Sequence, residues 1–173
     1  AELANLEVVN TEDENFTIMT PVHVSMGQKS YGISPANGEL HYTLRAWDNL
    51  KMEAVKSKIV NAVATISSQY QLEHAIEWIE YFPASINDKE CNDYVIKAAA
   101  ENSYKLTQKP HPFKFGEDFG WYAKEYKTAM FGLGAGIETP ALHNADYDFP
   151  DELIETGITM FQNITGAILN KNS

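Results

Sequence analysis

Two adjoining patterns between Gly38 and Tyr70 restrict the possible folds more than anything else in the chain. In GELHYTLRAW (Gly38–Trp47), Leu40, Tyr42, Leu44 and Ala46 alternate with His41, Thr43, Arg45 and Trp47, the mark of a strand with one apolar face. Directly after it, Asp48 or Asn49 can cap a helix running to about Tyr70. Met52, Val55, Ile59, Ala62, Val63, Ile66 and Tyr70 recur along that helix at spacings of three and four, which makes one buried stripe. A one-faced strand followed by a one-faced helix calls for a sheet with helices on one side. NFTIMTPVHV (Asn15–Val24) supplies an earlier β-branched and aromatic run, and HAIEWIEYF (His74–Phe82) a later one. Between the first two strands, SMGQKSYGISPANG carries the Gly, Ser, Pro and Asn content of a long turn. The expected class is therefore α+β, with an antiparallel sheet and helices on one face.

PASIND (Pro83–Asp88) interrupts the pattern and marks a domain boundary, giving units 1–83 and 84–173. Asn87 or Asp88 caps a helix to about Ser103 with Cys91, Val95, Ile96, Ala99 and Ala100 on one side. EDFGWYAKEY reads as a short helix with Glu117 and Asp118 in its first turn, where carboxylates favour the helix dipole. AMFGLGAG (Ala129–Gly136) reads as a buried strand ending in glycines. The last helix begins near Pro150, a residue suited to a first helical position, and its stripe is broad: Leu153, Ile154, Gly157, Ile158, Phe161, Ile164 and Ile168. Helix and strand alternate in this half as in an α/β layer. At the other end, AELANLE reads as the last turns of a helix whose start is missing.

Charge narrows the function classes. The chain has 173 residues, of which 44% are hydrophobic, enough for a real core; 13 Lys and Arg stand against 24 Asp and Glu, for a net charge of −11. No basic stripe is present to neutralise phosphates, so nucleic acid is not the expected partner, and anionic membrane surfaces are disfavoured for the same reason. No apolar run is long enough to span a bilayer. One cysteine, Cys91, rules out an internal disulfide framework and a multi-cysteine zinc site. A reducing cytoplasm is the expected compartment. Asn15-Phe16-Thr17 and Asn163-Ile164-Thr165 match the glycosylation pattern; with no secretory signal beside them, chance matches are the expectation.

Chemistry concentrates in LGAGIETPALHNADYDFPDELIETG (Leu133–Gly157), where His143 follows a glycine-rich strand end. Ligands gather at strand ends in α/β sheets because loops converge there. On local chemistry alone, His143 is either a metal ligand or a solvated, hydrogen-bonded loop residue. A catalytic zinc site needs about three protein ligands, yet no H-E-x-x-H or paired histidine accompanies it, and His23, His41, His74 and His111 are scattered. Glu117 and Asp118 could share acid/base work if buried, because like charges push one pKa up, or could simply serve a helix start. Gly132–Gly136 offers backbone N–H groups to an anion but lacks the spacing of a phosphate loop. Arg45 could clamp a carboxylate bidentately or pair with an acidic neighbour. Cys91 lies on a core-facing helix position, and no Ser has a G-x-S-x-G context.

Together these motifs resemble the C-terminal segment of the aminoacylase-like metallopeptidases, in the subgroup of hippurate hydrolases and N-acyl-amino-acid amidohydrolases. That segment reads S-E-D-F, an apolar strand ending L-G-x-G, then L-H-x-x-x-(F/Y)-D-F and a final helix. Glu117-Asp118-Phe119, Leu133-Gly134-Ala135-Gly136, Leu142-His143 and Tyr147-Asp148-Phe149 match in order, with Gly116 in place of the usual Ser. SPANGELHYTLRAWDN resembles part of the same family's inserted lid, or dimerisation, domain, with Pro35, Glu39, Leu40 and Arg45 in matching places and Gly32 where an asparagine is frequent. The resemblance implies that 1–83 is the lid and 84–173 the end of the catalytic domain. It implies that His143 is the last ligand of a two-metal centre, with zinc the expected divalent metal. Its other ligands would come from an H-x-C-G-H-D cluster and a Glu-Glu pair, neither of which occurs here. Glu117 and Asp118 would then orient groups around the site, and Arg45, Gly134 and Gly136 would contact the substrate carboxylate. The implied reaction is hydrolysis of an N-acyl amino acid or short peptide by metal-activated water. The chain alone is expected to be inactive, and a homodimer through the lid sheet is the expected assembly. The other reading is a non-catalytic dimerisation or binding module.

Overall fold

A computed structural model describes residues 2–113 and 115–171. Strand β1 (Thr17–Met26) and strand β2 (Gly38–Ala46) pair antiparallel, and helices α1 (Asn49–Tyr70), α2 (Lys89–Glu101) and α3 (Glu152–Lys171) follow, with 3-10 turns at Leu3–Leu6 and Asp118–Lys124. The class is the expected α+β. Contacts divide the chain into two compact units: 1–84 with 109–118, and 85–108 with 119–173. The division falls inside PASIND, and 109–118 folds with the first unit.

In that first unit the alternation of β2 is realised only at the end of the strand, where Leu44 and Ala46 are half-buried while Leu40 and Tyr42 are exposed. Leu44 faces Met19 across the ladder, and both meet Val55 and Ile59 of α1; Leu3 and Leu6 of the opening 3-10 turn pack on the same cluster. Asp48 caps α1, its carboxylate accepting from the Lys51 N–H at 2.8 Å, which satisfies one of the N–H groups a helix start leaves open. The buried stripe is shorter than the spacing implied, because Tyr70 at its end is exposed. Aromatic edges extend this core: Trp47 lies 5.9 Å from Phe16 and 6.0 Å from His111. The latter contact draws 109–118 into this unit. Gly27 closes the turn between the strands at φ +56, where a Cβ would stand 2.7 Å from the Pro35 side chain; glycine alone suits both demands.

The run His74–Phe82 does not join the ladder. Its alternation is broken at Glu80, which takes a left-handed φ of 51, and a strand cannot pass through that conformation without turning. The run is held instead by its side chains, with the Lys56 ammonium 5.3 Å from the Trp78 ring and 5.1 Å from the Tyr81 ring.

The second unit is built on α2 and α3. Val95, Ala98 and Ala99 of α2 meet Met160 of α3, with Tyr104, Ala129, Phe131 and Ile164 around them. Asp88 caps α2 by accepting from the Cys91 N–H at 3.1 Å. Ala129–Gly136, expected as a strand, forms no ladder among the described residues. Its backbone is engaged by a side chain instead: the Asn87 amide accepts from Met130 N–H at 2.8 Å and donates to Met130 O at 2.9 Å. Glycines at 132, 134 and 136 give the rest little strand preference. EDFGWYAKEY forms the expected short helix, as a 3-10 helix over Asp118–Lys124. Gly120, its third residue, disfavours a longer α-helix.

Candidate functional site

His143 lies in the loop between the Gly132–Gly136 run and α3. The loop is a chain of tight turns, with Asn144 N–H donating to Ala141 O at 3.0 Å and Tyr147 N–H to Asn144 O at 3.1 Å. Thr139 Oγ donates to Ala135 O at 2.6 Å, which folds the glycine run back at its end. Gly136 takes φ +95 and Gly134 has open space where a side chain would be. His143 itself takes a left-handed φ of 74, a conformation that histidine enters more readily than most residues. Its side chain is exposed, as are those of Asn144, Asp146 and Asp148. An imidazole so placed is open to a ligand rather than sealed in hydrocarbon.

Gly134, Gly136 and His143 thus share one unit, all solvent-exposed. Arg45, Glu117 and Asp118 belong to the other. Arg45 stands on the exposed face of β2 opposite Ile18, and Glu117 and Asp118 are both exposed at the start of the 3-10 turn. Neither carboxylate is buried. Cys91 is half-buried, and burial, followed by the nearby Asp88 carboxylate, pushes its thiol pKa up. That disfavours the thiolate a nucleophile requires.

A metal centre needs converging donors, and among the described residues no three His, Cys, Asp or Glu side chains come together to hold an ion. The donor set around His143 does not amount to a centre by itself. A depression of about 450 Å³ in the second unit is bordered by Ile86, Asn87, Lys124, Tyr126 and Thr128 and includes none of the predicted site residues.

One juxtaposition escaped the sequence reading. His23 and His41, read as scattered, sit directly opposite each other in the ladder, their ring centroids 5.4 Å apart and planes at 71°. The signal lay in a register that periodicity alone does not supply.

Among the described residues no helix is long and apolar enough to cross a membrane. No solved structure matches the chain. A hydrolase of Staphylococcus saprophyticus is 24% identical over 124 residues, covering 69% of this chain and 32% of its own length. A hydrolase of Staphylococcus aureus strain bovine RF122 is 24% identical over 135 residues, covering 75% of this chain and 35% of its own. The chain thus spans about a third of the length of these relatives. Peptidase family M20/M25/M40 matches residues 6–166, nearly the whole chain, and the protein belongs to that family.

Proposed function

We propose that this chain forms part of a metal-dependent amidohydrolase or peptidase that cleaves N-acyl amino acids or short peptides. Residues 1–83 act as its lid and 84–173 as the end of its catalytic domain. The observation that carries the reading is the family match over 6–166, joined to an exposed imidazole at His143 on a loop after a glycine-rich run. His143 serves as one metal ligand, with zinc the expected ion. Among the described residues no three such donors converge, and in this reading the remaining ligands are supplied by the rest of the enzyme. Arg45, Gly134 and Gly136 are assigned to the substrate carboxylate, and Glu117 and Asp118 to orienting groups near the reacting atoms. A cytoplasmic location accompanies this reading.

The 173-residue chain should show no hydrolysis of N-acyl amino acids or dipeptides when supplied with zinc, manganese or cobalt. Turnover at ordinary enzyme rates, a few per second or more, would contradict the proposal.

A dimerisation role can coexist with catalysis. Val24 and Leu40, opposed in the ladder, are 62% and 63% exposed, leaving an apolar patch on the outer part of the ribbon that a second copy could cover. Light scattering at high protein concentration tests this; a monomer throughout would remove it.

A further inference from the structure

We propose that His23 and His41 form a two-imidazole chelate for a divalent transition-metal ion, on the ribbon and separate from the catalytic reading of His143. The register is what creates it. Met19 faces Leu44 and Pro21 faces Tyr42, but the pairing then shifts, and His23, not Val22, opposes His41. A regular ladder would set Val22 there. The extra residue moves His23 onto the face shared by His41 and Glu39, and irregularities of this kind often re-aim side chains at functional positions.

The spacing suits one shared ion. With a metal–nitrogen bond of about 2.1 Å and a ring centre roughly 1.1 Å further on, two imidazoles at a tetrahedral angle place their centroids about 5.2 Å apart. The observed separation is 5.4 Å, close to that value. Glu39 stands two residues from His41, its carboxylate 3.5 Å from His41 Nε2. That contact can fix the ring's orientation and tautomer, as carboxylates do for metal-bound histidines.

Access is open. Beyond Met19 every residue of β1 is exposed, and the His41 side chain is 51% exposed. Because the described residues hold no cluster of three donors, the chelate has two protein ligands and completes its shell with water. Imidazole pairs favour copper, nickel and zinc over magnesium or calcium, with copper tightest. Bound across the two strands, the ion would tie the outer ribbon where no helix supports it.

Titration of the tag-free chain with copper(II), nickel(II) or zinc(II) chloride, followed by calorimetry and, for copper, electron paramagnetic resonance, tests the assignment. One equivalent should bind with micromolar affinity, copper most tightly, and the copper spectrum should report two nitrogen ligands. His23→Ala and His41→Ala should each weaken binding at least tenfold and remove one nitrogen. Glu39→Gln should weaken it about tenfold, in line with loss of an outer-shell partner. His143→Ala should leave this binding unchanged, which keeps the site distinct from the proposed catalytic ligand. His23→Gln, with a side chain closer in size, guards against a misfolded alanine variant, and circular dichroism checks both. Unchanged affinity in folded His23→Ala or His23→Gln, or a spectrum with a single nitrogen, would overturn the proposal.

Discussion

Helices α1 and α3 are similar in length and both carry apolar stripes, yet they meet different fates. The stripe of α1 finds the inner face of a ribbon: Val55 and Ile59 are buried against Met19 and Leu44. That of α3 is broader in sequence, yet Ile154, Ile158 and Phe161 remain 51%, 53% and 64% exposed, and the residue the helix does bury, Met160, lies outside the stripe read from the sequence. The contrast shows that a hydrophobic stripe states what a helix can bury, not how much its neighbours cover. A two-stranded sheet is wide enough for a narrow stripe, whereas α2 and the Phe131 region cover only one side of a wide one. An apolar helix face left open is the kind of surface that marks an interaction site. Under the proposed function, more of the enzyme would pack there.

The sharpest way to test this contrast is truncation of the buried residues. Ile59→Ala and Met160→Ala should each destabilise the chain by about 2–5 kcal/mol, through lost transfer energy and an unfilled cavity, as read by urea denaturation of the corresponding unit. Helix starts come next. Asp48→Ala and Asp88→Ala should each cost about 1 kcal/mol, because a first-turn N–H loses its acceptor. By contrast, Ile158→Ser on the open face of α3 should change stability by less than ~0.5 kcal/mol. A cost equal to that of Met160→Ala would mean that this face is covered, and the comparison would fail.

The smallest effect is electrostatic. Glu90 of α2 bonds the ammonium groups of Lys127 and Lys171, linking α2 to the end of α3. Hydrogen bonds from Lys127 and then Lys171, reinforced by their charges, lower its pKa from 4.5 to about 2. A depressed carboxylate pKa stabilises the fold above the unfolded value. That contribution is lost as pH falls from about 4.5 through about 2. Glu90→Gln should therefore lower stability slightly at neutral pH, leave the acid end of the profile unaltered and so flatten the limb between them, and high salt should shrink the difference. A limb as steep as that of the wild type would show the ion cluster to be inert.

How much was legible from sequence varied with how local the cause was. The α1 boundaries follow from neighbouring residues, and of the two cap candidates read at each helix start the structure uses Asp48 and Asp88. The runs 74–82 and 129–136 had the composition of strands, but a strand exists only through a partner. Glu80 turns the first and the Asn87 side chain occupies Met130 in the second. The loop bearing His143 was legible as a motif, because the Leu142-His143 and Tyr147-Asp148-Phe149 pattern is contiguous. The His23–His41 pair was not, since it depends on one extra residue in the register.

The central claim is that His143 supplies one ligand to a catalytic centre completed by polypeptide outside this chain. It is tested most directly by extending the chain with the preceding catalytic segment of a family member's architecture and measuring hydrolysis of N-acyl amino acids with and without His143→Ala. The extended protein should be active, and His143→Ala should lower its rate by ~100-fold or more, since even outer-shell losses at metal sites cost 10–100-fold, with bound metal falling in parallel. Full activity and unchanged metal content in folded His143→Ala would contradict the account.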